Sequence, residues 1–179
     1  MDGVRSRGGS VYCIGIGGVM MASLAILTAR AGFPVSGSDR AFAGGCDSPT
    51  AQRLTAAGIR LFGDHAAAHL PPDCGAGIYT VAITEDNPEY RAAAERGIPR
   101  FSRADYIGWL MTGYNRRVGV AGMHGKSTCT SMCAQVFLDA AADPTVLIGA
   151  DYPPIGGAPD GCPARAGRPP PMLRRPPPV

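Results

Sequence analysis

Lys126 is the only lysine among the 17 Lys and Arg residues of this chain. It stands in the run Gly122-Met123-His124-Gly125-Lys126-Ser127-Thr128, where glycines lead into a cation and two hydroxyls. That combination suits phosphate. Gly122 and Gly125 let the backbone turn tightly and approach an anion with no side chain in the way. A compact ammonium on a flexible stem reaches terminal phosphates as a point charge, which a planar guanidinium does not replace. The hydroxyl of Ser127 or Thr128 can take a magnesium ion. The run is shorter than the general Gly-x-x-x-x-Gly-Lys-Ser/Thr pattern, because Val120 stands five residues before Gly125.

A second glycine cluster, Gly15-Ile16-Gly17-Gly18, lies near the start, and Asp39 follows about twenty residues later. Glycines at a strand-to-helix turn and an acid at the end of the next strand open a dinucleotide-binding unit. The third fingerprint glycine is missing, since Met20 holds its place. The pattern alone leaves open NAD, another nucleotide, or a tight turn that binds nothing.

Both clusters need a scaffold of strands and helices. Residues 11–14 read as a strand, 19–30 as an apolar helix ended by Gly32, and 35–38 as a second strand. Ser48 and Pro49 open a helix that closes at Gly58. Residues 59–62 and 77–81 read as strands three and four. Asn87, Pro88 and Glu89 start a helix as cap, first-turn proline and first-turn acid, and Gly97 ends it. Residues 98–101 read as a fifth strand, and Ser102 caps a helix to about residue 111. Strands alternating with helices at this spacing predict an α/β fold, a Rossmann-like parallel sheet covered on both faces.

Tyr114 and Asn115 mark a boundary. After them a buried strand at 118–121, the phosphate loop, a helix over 127–140 and a strand at 143–148 predict the start of a second, P-loop α/β domain. The expected organisation is therefore a flexible leader over 1–10, a sheet domain over 11–113, and the start of an ATP-binding domain over 114–150. From residue 151 onward, 10 of the 17 prolines fall in 29 residues with no apolar periodicity. This predicts a disordered Pro/Arg-rich tail over 151–179, from a truncated gene product or a lost reading frame.

Composition narrows the class. Hydrophobic residues at 45% and charged residues at 17% suit a globular core. The net charge is +3, of which the tail supplies +2, so no basic face for nucleic acid is expected. Six cysteines without Cys-x-x-Cys spacing fit a reducing cytoplasm rather than a disulfide framework. Arg5 and Arg7 before an apolar run resemble an export signal, but the early glycines favour a strand-to-helix turn and no membrane segment.

Three stretches carry a family resemblance: Gly15-Ile16-Gly17-Gly18 leading to Ser36-Gly37-Ser38-Asp39; Ala82-Ile83 with Asn87-Pro88-Glu89; and residues 122–128 with Asp143-Pro144-Thr145. Together they resemble the N-terminal part of the Mur ligase family of peptidoglycan synthesis. The usual family loop has threonine at the places of Met123 and Ser127. The serine keeps a hydroxyl, and Met123 removes one. The resemblance implies a first domain for a UDP-linked substrate and a second for ATP and Mg2+. It implies a ligase that activates the carboxylate of UDP-N-acetylmuramate as an acyl phosphate, which the amine of L-alanine then attacks. On that mapping Gly122, Met123, His124, Gly125, Lys126, Ser127 and Thr128 contact ATP, Lys126 is the catalytic candidate, and Ser127 and Thr128 hold magnesium. Gly15, Gly17, Gly18, Ser38, Asp39, His65 and Asn87 are the UDP-substrate candidates. His65 and His69 read equally well as surface helix residues. Family members are considerably longer, so this fragment is expected to be inactive alone. A non-catalytic UDP-sugar or nucleotide module and an NAD-dependent oxidoreductase are the other readings.

Overall fold

The computed structural model describes residues 9–45 and 47–150. Most of the expected leader and all of the expected Pro/Arg-rich tail lie outside the described residues. The described chain runs β1 (Ser10–Ile14), α1 (Val19–Arg30), β2 (Val35–Ser38), α2 (Pro49–Ala56), β3 (Arg60–Phe62), β4 (Cys74–Tyr79), α3 (Pro88–Glu95), β5 (Arg100–Ser102), α4 (Arg103–Thr112) and α5 (Lys126–Asp139). The strands form one parallel sheet in the order β3-β2-β1-β4-β5. The fold is α/β, with helices on both faces.

Strand alternation divides the core. Val11 and Cys13 of β1 point to one face, where Met21 and Leu24 of α1, Leu54 of α2, and Tyr106 and Leu110 of α4 cover them. Tyr12 and Ile14 point to the other, against Ala93 of α3, Leu70 and Ile98. From Met21 to Thr28, α1 is buried almost all round, which explains its apolar composition. Among the described residues no helix is long and apolar enough to cross a membrane.

The helix starts follow their caps. Ser48 Oγ accepts from Ala51 N at 3.2 Å, Asn87 Oδ1 accepts from the N–H groups of Glu89 and Tyr90, and Ser102 Oγ accepts from Asp105 N at 3.2 Å. The strand bounds shift. β4 starts at Cys74 and ends at Tyr79, and Val81, expected inside it, is 93% exposed beyond its end. β5 begins at Arg100 rather than at Ile98, which turns into the core behind α3.

The two strands expected after residue 114 do not form. Residues 118–121 and 143–148 have no ladder partner among the described residues, and Val118, expected in a buried strand, is 60% exposed. Apolar content does not make a strand without a neighbour for its N–H and C=O groups. α5 does form, packing Ala134 and Leu138 against Val146 and Ile148, while Tyr114 Oη donates to Thr145 Oγ1 at 3.1 Å.

Candidate functional site

In this sheet the chain moves outward from β1 through β2 to β3, then returns to the other side of β1 for β4 and β5. The order reverses between β1 and β4. At such a switch point the connections leaving the carboxyl ends diverge and leave a crevice. A cleft of about 550 Å³ lies there, lined by Gly15 and Gly18 after β1, Asp39 and Arg40 after β2, His65, and residues 80, 82–84 and 86–88 after β4. It brings Gly15, Gly18, Asp39, His65 and Asn87 together from four separate places in the sequence.

Gly17 and Ser38 sit behind this surface. Gly17 N–H donates to Asp39 Oδ2 at 2.8 Å, and Asp39 Oδ1 accepts from Ala41 N at 2.9 Å. A Cβ on Gly17 would lie 2.8 Å from the Asp39 carboxyl carbon. A side chain here would displace the acid that ties the turn to the end of β2, before any ligand is considered. Asp39 therefore shapes the turn with both oxygens, a use that the glycine spacing did not reveal.

Ser38 is fully buried and belongs to a polar cluster under the cleft. Its hydroxyl donates to Glu89 Oε2 at 2.5 Å and lies 2.9 Å from His65 Nδ1. Glu89, also fully buried, receives Tyr12 Oη–H at 2.7 Å and Ala66 N–H at 3.2 Å on Oε1, and His65 Nδ1 lies 3.1 Å from Oε2. His69 Nδ1 is 3.4 Å from Oε1, its Nε2 is 3.5 Å from Asp64 Oδ1, and its ring stacks on Phe62 at 4.0 Å. Burial, and then the bond to Glu89, hold the Tyr12 phenol far above its ordinary range, so it stays a donor. Neither histidine is a surface helix residue: their side chains are 9% and 18% exposed. Asn87 caps α3 at the cleft rim and thereby places Glu89 in the first helical turn, where the positive end of the helix favours an acid.

Glu89 anchors this cluster, although its sequence context marks it only as a first-turn acid within Asn87-Pro88-Glu89. The available signal was Tyr12 on a strand buried on both faces, because a buried phenol needs an acceptor.

The second candidate cluster is separate. Residues 121–129 are exposed, and α5 starts at Lys126 after Gly125 in a left-handed conformation, φ +75°. No side chain caps that helix, so its first-turn N–H groups remain open to an anion. Lys126 Nζ folds back to donate to Gly122 O at 2.7 Å and Met123 O at 2.9 Å, which holds the ammonium over the loop. These features fit a nucleotide phosphate. Among the described residues no group of three or more His, Cys, Asp and Glu side chains could hold a metal. Ser127 and Thr128, in the first turn of α5, carry hydroxyls of the kind that can take a magnesium ion.

A family model described as "Mur ligase family, catalytic domain" matches residues 10–115. The chain belongs to the Mur ligase family. Among curated proteins it is similar to the UDP-N-acetylmuramate–L-alanine ligase of Clostridium botulinum (strain Eklund 17B / Type B), 37% identical over 156 residues, which cover 87% of this chain and 33% of the relative. The same-named enzyme of Lachnoclostridium phytofermentans is 41% identical over 139 residues, covering 78% of this chain and 29% of the relative. The chain thus spans about a third of the length of these relatives. Its fold is similar to the UDP-N-acetylmuramate-alanine ligase of Thermotoga maritima, with TM-score 0.72, 27% identity, and coverage of 84% of this chain and 34% of that one. It is equally similar, at TM-score 0.72 and 30% identity over 83% of this chain and 45% of that one, to a Neisseria meningitides ligase. The name of the latter describes joining UDP-N-acetylmuramate to L-alanyl-gamma-D-glutamyl-meso-diaminopimelate. These two Mur ligases share a muramate partner by name and differ in what is joined to it.

Proposed function

We propose that this chain is the substrate-binding portion of a ligase that joins L-alanine to UDP-N-acetylmuramate at the expense of ATP in the cytoplasm. In this reading residues 11–113 form the UDP-substrate domain and residues 114–150 the start of the ATP-binding domain. The switch-point cleft carries the proposal. Gly15 and Gly18 line it from one side, Asn87 and the residues before α3 from another, and His65 forms part of its wall. That mixture suits an elongated, polar, anionic ligand, with flexible glycine backbone beside pyrophosphate and side chains beside uridine or sugar.

Residues 122–128 take ATP, with Lys126 on the terminal phosphates and Ser127 or Thr128 on magnesium. ATP supplies the phosphoryl group that turns the muramate carboxylate into an acyl phosphate, with ADP as the leaving group. The alanine amine then forms the amide bond, releasing phosphate and a proton. What these residues do is position and neutralise charge: Lys126 swings off its two carbonyl bonds onto the phosphates, and the start of α5 meets them with N–H groups.

An NAD-dependent oxidoreductase uses the acid after the second strand for ribose. Here each Asp39 oxygen accepts from one backbone N–H group and keeps a further acceptor site, so binding has to separate the readings. Calorimetric titration separates the two readings. Saturable binding of UDP-N-acetylmuramate with none of NAD is expected, and the reverse preference would overturn the proposal.

A further inference from the structure

The cluster under the cleft contains more order than packing requires. Glu89 is fully buried, and among the described residues no arginine or lysine bonds it. Tyr12 and Ala66 donate to Oε1. On the other side Ser38 spends its single hydroxyl hydrogen on Oε2 at 2.5 Å. The Ser38 oxygen can then only accept at its 2.9 Å contact with His65 Nδ1. The carboxylate oxygen 3.1 Å from the same nitrogen is an acceptor too. Both neighbours of Nδ1 therefore ask for a hydrogen on it.

We propose that Glu89 is a positioning residue that locks the proton of His65 on Nδ1 and so presents Nε2 to the ligand in the cleft. His65 lines the cleft, and its Nε2 has no hydrogen-bond partner among the described residues. In the neutral ring this Nε2 is an acceptor. The ligand atom opposite it is then an N–H or O–H of the uridine or sugar, rather than a phosphate oxygen. Acting from beneath, Glu89 touches no ligand. It sets which chemical face of the imidazole the ligand meets, as carboxylates orient histidines elsewhere. The proposal rests on the UDP-sugar reading of the cleft for the identity of the ligand, and on the cluster alone for the proton.

Two-bond 1H–15N correlation of the imidazole rings at about pH 8, above the usual histidine range, reads the proton directly. The expected result is Nδ1–H at His65 in the wild-type chain and in Ser38→Ala. In Glu89→Gln, Tyr12 and Ala66 hold the amide oxygen on their side, so the amide nitrogen faces Nδ1 and the proton should move to Nε2. Nε2–H in the wild type, or Nδ1–H retained in Glu89→Gln, would overturn the proposal. Should Glu89→Gln fail to fold, the wild type and Ser38→Ala still decide, since Nε2–H in either contradicts the lock. With UDP-N-acetylmuramate as probe, Glu89→Gln and His65→Ala should each weaken binding about tenfold, the size of one lost hydrogen bond. The double variant should bind no worse than His65→Ala, and additive losses would show that Glu89 does not act through His65. A wild type that binds no UDP-N-acetylmuramate contradicts the UDP-sugar reading, while the ring nitrogens still report the proton assignment without ligand.

Discussion

Replacing Glu89 by alanine strips the acceptor from the Tyr12 hydroxyl, the Ser38 hydroxyl and the Ala66 N–H at once. Each buried donor left without a partner costs about 1–3 kcal/mol. The Ser38 hydroxyl can turn to His65 Nδ1, 2.9 Å away, and recovers part of its loss. The net cost should be about 3–5 kcal/mol, a large share of the stability of a domain this size. Trp109, half-buried beside Tyr106 in α4, is the single tryptophan and reports unfolding by fluorescence. With a urea slope of about 2 kcal/mol/M, the midpoint should fall by about 1.5–2.5 M. Glu95→Ala, on the exposed end of the same helix, should change stability by no more than about 0.5 kcal/mol. A midpoint shift under about 0.5 M for Glu89→Ala would refute the claim that Glu89 anchors this cluster.

Lys126→Ala should weaken ATP binding about ten- to a hundredfold by calorimetry, while Arg117→Ala, whose Nε bonds Tyr114 O before the loop, should change it little. Gly17→Ala forces a Cβ against the Asp39 carboxyl group, so stability should drop by about 1–2 kcal/mol in denaturant even without ligand. Burial pushes the Cys13 thiol up to about 12 and also raises the Tyr12 and Tyr106 phenols. These groups ionise in the unfolded chain before they do in the fold, so the stability they contribute is complete below about pH 9. It should be lost as pH rises further, by up to about 1.4 kcal/mol per pH unit for each ionising group, measured by urea unfolding along a pH series.

The first sheet was readable because its signals are local. Ser48, Asn87 and Ser102 cap helices by side-chain bonds made within three residues, and the proline after two of them pre-sets the first turn. Alternation along β1 separates Val11 and Cys13 from Tyr12 and Ile14 whatever the rest of the chain does. The β4 bounds were not readable in the same way. Gly75 and Ala76 are poor strand formers by composition, and they extend with Cys74 because β1 lies alongside. Residues 118–121 show the converse, since apolar side chains there find no pairing neighbour among the described residues.

The site divides along the same line. A glycine turn, an acid after the second strand and a glycine-lysine-hydroxyl loop are all patterns in one dimension. The Glu89 cluster joins Tyr12, Ser38, His65, Ala66 and His69 from four parts of the chain, so no spacing announces it. Asp39 shows the same gap at smaller scale. Its place after β2 was legible, but its bond back to Gly17 was not.

The central claim is that the switch-point cleft is where the UDP-linked substrate sits. Amide chemical-shift mapping during titration with UDP-N-acetylmuramate tests it most directly. The largest shifts should fall on Gly15, Gly18, Asp39, His65 and Asn87, around the 550 Å³ cleft. Shifts centred on the smaller hollow beside Tyr90, Ile98 and Arg100, or no shifts at saturating ligand, would contradict it.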